Sequence, residues 1–81
     1  MQCCQVHAEV LFRSRHSNKR LYSTLELAHL HRNGTVLKIN VCDYGINISC
    51  DKSVRLSLVA ALREICTSCQ SSVRYIMCRD A

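Results

Sequence analysis

Alternation of apolar and polar side chains constrains the fold of this chain more than any other feature of its sequence. The stretch TVLKINVCDYGINISCDKS, residues 35–53, places apolar residues at every second position on both sides of Gly45. In its first half Leu37, Ile39 and Val41 are predicted to face one way and the polar residues between them the other. A period of two is typical of half-buried antiparallel strands, so the stretch predicts two strands joined by a turn.

Two further segments extend this pattern. CQVHAEVLF, residues 4–12, alternates in the same way and predicts a strand. Asn33-Gly34 is a strong hairpin signal because both central positions of a type I′ turn need positive φ, and we predict a turn between strands there. The segment 22–34, YSTLELAHLHRNG, fits either another strand of a meander or a short helix that stops at Asn33-Gly34.

The segment from Val54 to Cys69 is ambiguous between helix and strand. Its apolar residues recur at helical spacing, and Asp51 or Ser53 is available as an N-terminal cap. Its first third also alternates with a period of two, which a strand requires. Both interpretations stay open from the sequence alone.

Length limits the fold to one small domain, residues 1–81, because a chain of 81 residues buries only about 60–65% of the surface that its unfolded form exposes. A hydrophobic content of 48% with one Phe and no Trp predicts a core of aliphatic residues and cysteines. The patterns together predict an α+β fold: a small antiparallel β meander with one helix.

Cysteine usage bears on the cellular compartment. The chain has seven cysteines, an odd number, and its start, MQCCQVHAEV, does not resemble a secretory signal. No apolar run approaches the roughly 18 residues of a membrane span. We therefore predict a cytoplasmic protein with reduced thiols and no membrane span.

A cluster of basic residues suggests a second class of function. The net charge is +5, and RSRHSNKR, residues 13–20, holds much of the positive charge. Such a cluster is either a solvated turn or an anion-binding loop for phosphoinositide headgroups or nucleic acid. The candidate anion-binding residues are Arg13, Arg15, Lys19 and Arg20.

Neither a metal site nor catalysis is predicted. Cys66-x-x-Cys69 and His29-x-His31 offer two pairs of zinc ligands, but strong zinc signatures repeat the cysteine pair or separate the histidines by three to five residues. Structural zinc is therefore only an addition to the alternative of a small basic nucleic-acid-binding or viral-type accessory protein. The sequence shows no paired acids, glycine-rich phosphate loop or nucleophile elbow, so we predict a protein that is not an enzyme and needs no cofactor.

Three motifs in the second half of the chain resemble phosphotyrosine-binding (PTB) domains of the pleckstrin-homology-like superfamily. VLKINVCDYGINI is similar to a family strand that passes a turn at a glycine, here Gly45. Arg63, Ile65 and Cys69 loosely match a following strand motif, and RYIMCRD, residues 74–80, matches the strand after that. The resemblance covers about half of the chain and implies an incomplete PH-like barrel, because the family's last strands and C-terminal helix have no counterpart.

The resemblance also implies a function. PTB domains are adaptors that bind Asn-Pro-x-Tyr peptides in receptor tails, and the peptide joins the sheet edge as an added strand. The implied partner is a protein or peptide, with a homo-oligomer as another option. The alternative for the same segment is an ordinary core strand with Tyr75 and Met77 packed inward. The candidate peptide-binding residues are Val73, Arg74, Tyr75, Ile76, Met77, Cys78 and Arg79.

Overall fold

The computed structural model describes residues 2–13 and 17–80. Within these ranges four strands and three helices are present, with one 3-10 turn at Lys52–Val54 before the last helix. The elements in chain order are β1 (Cys3–Phe12), α1 (Asn18–Ser23), α2 (Leu25–Arg32), β2 (Val36–Val41), β3 (Gly45–Asp51), α3 (Arg55–Ser68) and β4 (Ser71–Asp80).

The strands form one antiparallel sheet in the order β2-β3-β1-β4. Because β1 and β2 both run antiparallel to β3, they are parallel to each other, and α1 and α2 connect them. By the same reasoning β3 and β4 are parallel on either side of β1, and α3 connects them. The chain therefore contains two interleaved βαβ units, the split βαβ arrangement of ferredoxin-like folds.

One face of the sheet packs against the helices and forms the core. The predicted alternation in β1 and β3 is confirmed, since apolar residues at every second position are buried and their neighbours are not. Burying one Leu or Ile side chain contributes about 1.5–3 kcal/mol, so a core this small depends on each member. The core residues are Cys4, Val6, Ala8, Val10, Leu21, Leu27, Val36, Ile46, Ile48, Cys50, Leu58, Leu62, Ile65 and Cys66.

The opposite face of the sheet, which we call the open face, carries the alternate residues of each strand. Strand pairing sets His7 beside Asn47 on one side and beside Met77 on the other. Gln5 pairs with Arg79 and Glu9 pairs with a tyrosine of β4. The open face is therefore mainly polar, as expected for a two-layer α+β fold.

Strand β2 departs from the predicted alternation at Leu37. The register between β2 and β3 shifts between Val36 and Lys38, where a β-bulge interrupts the pairing. Val36 is 1% exposed and Leu37 is 43% exposed. The prediction that Leu37 shares the inward face with Ile39 and Val41 is wrong, because the extra residue of a bulge changes the phase of the alternation.

The predicted hairpin turn at Asn33-Gly34 is instead the C-terminal cap of α2. Gly34 has a φ of +75°, its N–H donates to the His31 carbonyl at 3.1 Å, and the N–H of Thr35 donates to the Leu30 carbonyl at 3.0 Å. These two bonds form a Schellman motif, which needs a left-handed residue such as glycine. The turn between strands is wrong here, and the alternative, a short helix that stops at Asn33-Gly34, is correct.

The segment left open between helix and strand is helical from Arg55 to Ser68. Its buried side chains, Leu58, Leu62, Ile65 and Cys66, follow helical spacing. The carboxylate of Asp51 accepts hydrogen bonds from the backbone N–H and the hydroxyl of Ser53, each at 3.0 Å, and caps the 3-10 turn that leads into α3. The backbone bond and then the hydroxyl bond lower the pKa of Asp51.

The predicted α+β class with a small antiparallel sheet is confirmed. The sheet is open, and the described strands do not close into a barrel. Only β2 and β3 are neighbours both in sequence and in the sheet, because each of the other connections crosses over a strand. None of the helices within residues 2–13 and 17–80 is long and apolar enough to cross a membrane.

Candidate functional site

Strand β4 lies at an edge of the sheet and contains all seven candidate peptide-binding residues. In the part of the chain that the structure describes, β4 pairs with β1 alone. It is ten residues long, and most of its side chains are exposed. An edge strand presents a row of backbone N–H and C=O groups that its single neighbour does not use, and these groups can pair with another chain.

A β-bulge at Arg74 decides which side chains of β4 face outward. Glu9 pairs with Tyr75 and Val10 pairs with Val73, so Arg74 is the additional residue. Beyond the bulge Tyr75 lies on the open face and is 40% exposed. The alternative in which Tyr75 packs inward is therefore wrong, because the bulge changes the alternation that starts at Val73.

The second residue assigned inward by that alternative behaves in the same way. Met77 pairs with His7 and is 52% exposed on the open face. Ile76, between the two, pairs with the buried Ala8 and is half-buried against the core. The exposed apolar side chains are therefore available to a partner, while Ile76 fixes the strand to the domain.

Glu9 of β1 holds the start of the regular part of β4. Its carboxylate accepts a hydrogen bond from the Tyr75 hydroxyl at 3.0 Å and lies 3.8 Å from the guanidinium of Arg74. The hydrogen bond to Glu9 raises the pKa of Tyr75. The ring of His7 lies 5.8 Å from the ring of Tyr75, and its Nδ1 forms a 2.6 Å hydrogen bond with Asn47 Oδ1. These contacts extend over β4, β1 and β3, and they fix the orientation of the Tyr75 ring.

A shallow depression of about 410 Å³ lies on the open face beside this edge. Arg79 is its cationic member, and it forms no ion pair with the residues that the structure describes. An exposed cation without a partner favours an acidic or aromatic group. The lining residues are Gln5, His7, Asn47, Tyr75, Met77, Cys78 and Arg79.

The far end of β4 is held by ions from the 3-10 turn and α3. Asp80 lies 3.0 Å from the Lys52 ammonium and 3.8 Å from the guanidinium of Arg55. The side chain of Asp80 is 61% exposed, so these pairs contribute little, roughly 0–1 kcal/mol each. The outward edge of β4 is therefore fastened mainly by its pairing with β1.

The open-face residues of β1 were missed by the sequence analysis. Gln5, His7 and Glu9 occupy the alternate positions of a strand whose other face was predicted to be apolar. That alternation was the available signal, since polar positions on a half-buried strand face away from the core. Their pairing with β4 was not available, because it depends on contacts between residues about 70 positions apart in sequence.

The basic cluster is only partly within the described residues. Arg13 follows β1 and is exposed, and Lys19 and Arg20 are exposed on α1. Arg15, the fourth candidate anion-binding residue, lies outside the described residues. The part of the chain that the structure describes therefore does not define an anion-binding loop at this position.

The two pairs of potential zinc ligands have other contacts. Asn33 Nδ2 donates to His29 Nε2 at 2.8 Å, and the Tyr22 hydroxyl lies 2.7 Å from His31 Nδ1. Cys66 is buried, and its burial raises its pKa to about 11. Within residues 2–13 and 17–80 no group of three or more His, Cys, Asp or Glu side chains is arranged to hold a metal ion.

Two cysteines form a buried cross-strand pair that the sequence did not reveal. Cys4 of β1 and Cys50 of β3 are directly opposite each other, and both are 0% exposed. Burial, followed by the neighbouring Cys4 thiol, raises the pKa of Cys50 to about 11. Both are thiols that pack as small apolar side chains, whereas Cys42 and Cys78 are exposed.

The three motifs of the PTB resemblance lie in different kinds of element. Gly45 begins β3, and residues 74–80 belong to β4. Arg63 and Ile65, which match a strand motif of the family, lie in α3, and Cys69 follows that helix. No family model, curated protein or solved structure matches the chain.

Proposed function

We propose that this protein is a non-catalytic interaction module that binds a protein or peptide by accepting an extended segment as an added strand along β4. The position of β4 at the sheet edge, with one neighbour among the described residues, is the observation that supports this most directly. In strand addition, backbone hydrogen bonds provide affinity and the pockets for alternate side chains provide selectivity.

The open face beside β4 suggests which segments would be selected. Tyr75 and Met77 offer apolar contact area, and Arg79 offers a positive charge two residues further on. An added strand places its own side chains on the same face at every second residue. We therefore propose a preference for segments with apolar and acidic or aromatic residues at alternate positions.

The resemblance to PTB domains provides the first probe. A peptide that contains Asn-Pro-x-Tyr tests the family's ligand class directly, with and without phosphate on the tyrosine. We also propose a reducing, cytoplasmic setting, because seven cysteines, an odd number, do not make a complete disulfide framework.

The decisive test is a titration of the complete chain with this peptide, followed through its backbone amide resonances. We expect selective shifts in Ser71–Asp80, because an added strand forms hydrogen bonds there. Val36–Val41 of β2, the other edge strand, is the internal control and should remain unchanged. Shifts confined to β2, or no shift in β4 of the monomeric chain for any of the peptides, would overturn the proposed mechanism.

Two exposed thiols provide an independent readout in the same sample. Cys78 lies in β4, and Cys42 follows β2 at the other edge. Bound peptide should slow alkylation of Cys78 by iodoacetamide while Cys42 reacts at its original rate. Equal slowing at both thiols would indicate nonspecific association rather than strand addition.

The alternative, binding of nucleic acid or phosphoinositide through the basic cluster, has less structural support. Base-binding sheets stack bases on aromatic or histidine side chains, and the paired central-strand positions here offer one such ring, His7, beside the polar Asn47. A single-stranded oligonucleotide that binds with steep salt dependence, without shifts in β4, would favour this alternative.

A further inference from the structure

We propose that the segment added to β4 is the β4 strand of a second copy of this chain, in an antiparallel register centred on Met77. This inference rests on the proposed strand addition and names its occupant. The resulting dimer would have two-fold symmetry, and its two sheets would join into one sheet of eight strands.

Sheet continuity limits the registers that are available. Residues directly opposite each other in an antiparallel pair have side chains on the same face. Tyr75, Met77 and Arg79 are on the open face, whereas Ile76 and Cys78 are on the helix side. Open-face residues of one copy must therefore meet open-face residues of the other. The central residue of the pairing then lies opposite its own copy, and the two-fold axis runs midway between these two residues.

The bulge and the pattern of charges select among the remaining registers. The regular part of β4 is Tyr75–Asp80, which pairs with β1 without interruption. Centring the pair on Ile76 would set Arg79 opposite the apolar Val73 and across the bulge. Centring it on Cys78 would set the apolar Ile76 opposite the charged Asp80.

A register centred on Met77 avoids both mismatches. Met77 then lies opposite Met77 of the second copy, and Ile76 lies opposite Cys78, so apolar side chains meet in the middle. Tyr75 lies opposite Arg79 of the second copy, and symmetry repeats this contact. A guanidinium over a tyrosine ring is favourable, and Arg79 has no ion pair of its own within the described residues.

The same operation is less suited to the other edge. After its bulge β2 keeps only the four residues 38–41, and Lys38 lies on its open face. Short edge strands, bulges and lysines are features that discourage edge-to-edge pairing. By contrast, β4 has six regularly paired residues, and its open-face side chains there are Tyr75, Met77 and Arg79.

Site-specific cross-linking of the complete chain tests the register. In a background that carries Cys42→Ser and Cys78→Ser, which removes both exposed thiols, Met77→Cys should give an intermolecular disulfide between the two residues at position 77 under oxidised glutathione. The two thiols lose two electrons and two protons, and the glutathione disulfide is reduced to two thiols. Directly opposed strand residues have Cα atoms about 4.5–5.5 Å apart, within the range that a disulfide spans. Asn40→Cys in the same background is the matched control at the β2 edge and should give little dimer.

Removing the cation tests the complementarity without new cysteines. Arg79→Gln should weaken self-association about five- to thirtyfold, since two cation–π contacts are lost per dimer. Lys38→Gln removes a charge from the opposite edge and should leave association unchanged. Sedimentation over a range of concentrations measures both variants.

The outcomes separate this inference from the function on which it rests. A chain that stays monomeric and does not cross-link at position 77, but whose β4 amides shift with a foreign peptide, overturns the second copy and keeps strand addition. A chain that shows neither overturns both. Equal cross-linking at positions 40 and 77 would also overturn the register, because it indicates random collision.

Discussion

The two βαβ units of the domain follow the same plan but differ at the residue that leads into each edge strand. In the first unit α2 ends at Arg32, and Gly34, with φ +75°, lies between it and β2. In the second unit α3 ends at Ser68, and Gln70, with φ +55°, lies between it and β4. Both edge strands then carry a bulge close to their start. The units therefore use one backbone device, with glycine in one case and a residue that has a side chain in the other.

The edges themselves differ more than the connections. The end of β2 is fixed by the buried Asn18, whose Nδ2 donates to the Cys42 carbonyl at 2.9 Å. The end of β4 is held by exposed ion pairs, and its open face shows Tyr75 and Met77 to solvent. The first unit thus has a short and guarded edge, whereas the second has a long edge with features of a binding strand.

The largest effects should come from the core that the two units share. Leu27→Ala removes a buried side chain of α2, and Leu62→Ala removes the corresponding one of α3. Each should lower the free energy of unfolding by about 2–4 kcal/mol, from lost burial and the cavity that remains. Chemical denaturation measures the loss, and Leu56→Ala is the control because Leu56 is 78% exposed.

Hydrogen exchange on the same variants tests whether the two βαβ units unfold together as one domain or separately. In a single cooperative domain either substitution should accelerate exchange in β2 and β4 alike. Acceleration limited to β2 in Leu27→Ala and to β4 in Leu62→Ala would show that the units unfold separately. The difference between the edges would then reflect local stability rather than surface chemistry.

A smaller effect, local to the first unit, is expected from Asn18→Ala. The substitution removes the bond to the Cys42 carbonyl, and it also removes Asn18 Oδ1, which is buried without a partner among the described residues. Loss of the hydrogen bond destabilises the folded state, and removal of the unpaired buried oxygen stabilises it by a smaller amount. We therefore expect the free energy of unfolding to decrease by about 1–2 kcal/mol. Asn40→Ala on the exposed side of β2 is the control. Faster exchange in β4 than in β2 would contradict a role for Asn18 in fixing the β2 edge.

The sequence predicted the central strands better than the edge strands. β1 and β3 are buried on one face along their whole length, so their alternation is complete and visible. In β2 and β4 a single bulged residue, Leu37 or Arg74, changes which side chains face the core. A bulge depends on pairing with the neighbouring strand, and alternation within one strand does not encode it.

The candidate site was predictable as a segment but not as a surface. The alternation of Val73–Cys78 indicated a strand, and the edge position follows only from the strand order. Asn33-Gly34 shows the same limit, because residues that adopt positive φ serve a hairpin turn and a helix cap equally well. Which of the two forms depends on whether the preceding residues pack as a helix.

The smallest predicted effects concern the residue before each edge strand, where two substitutions should change the free energy of unfolding in opposite directions. Gln70→Gly relieves a left-handed backbone that a side chain disfavours, and we expect a gain of about 0.5–1 kcal/mol after the greater freedom of glycine in the unfolded chain is subtracted. Gly34→Ala should lose about 1 kcal/mol, because the φ of +75° is costly with a Cβ although no atom lies within 4 Å of it.

These two substitutions also show whether the strained backbone at Gln70 contributes to peptide binding at β4. Glycine at position 70 loosens the entry to β4 without touching Tyr75–Asp80, so a stabilised variant with unchanged peptide affinity assigns the strain to folding alone. A stabilised variant that binds more weakly would show instead that Gln70 holds β4 ready for its partner, since affinity depends on how far the strand is ordered before binding. Thermal denaturation and the peptide titration, run on both variants, distinguish these results. A loss of stability in Gln70→Gly would contradict the parallel between the two connections.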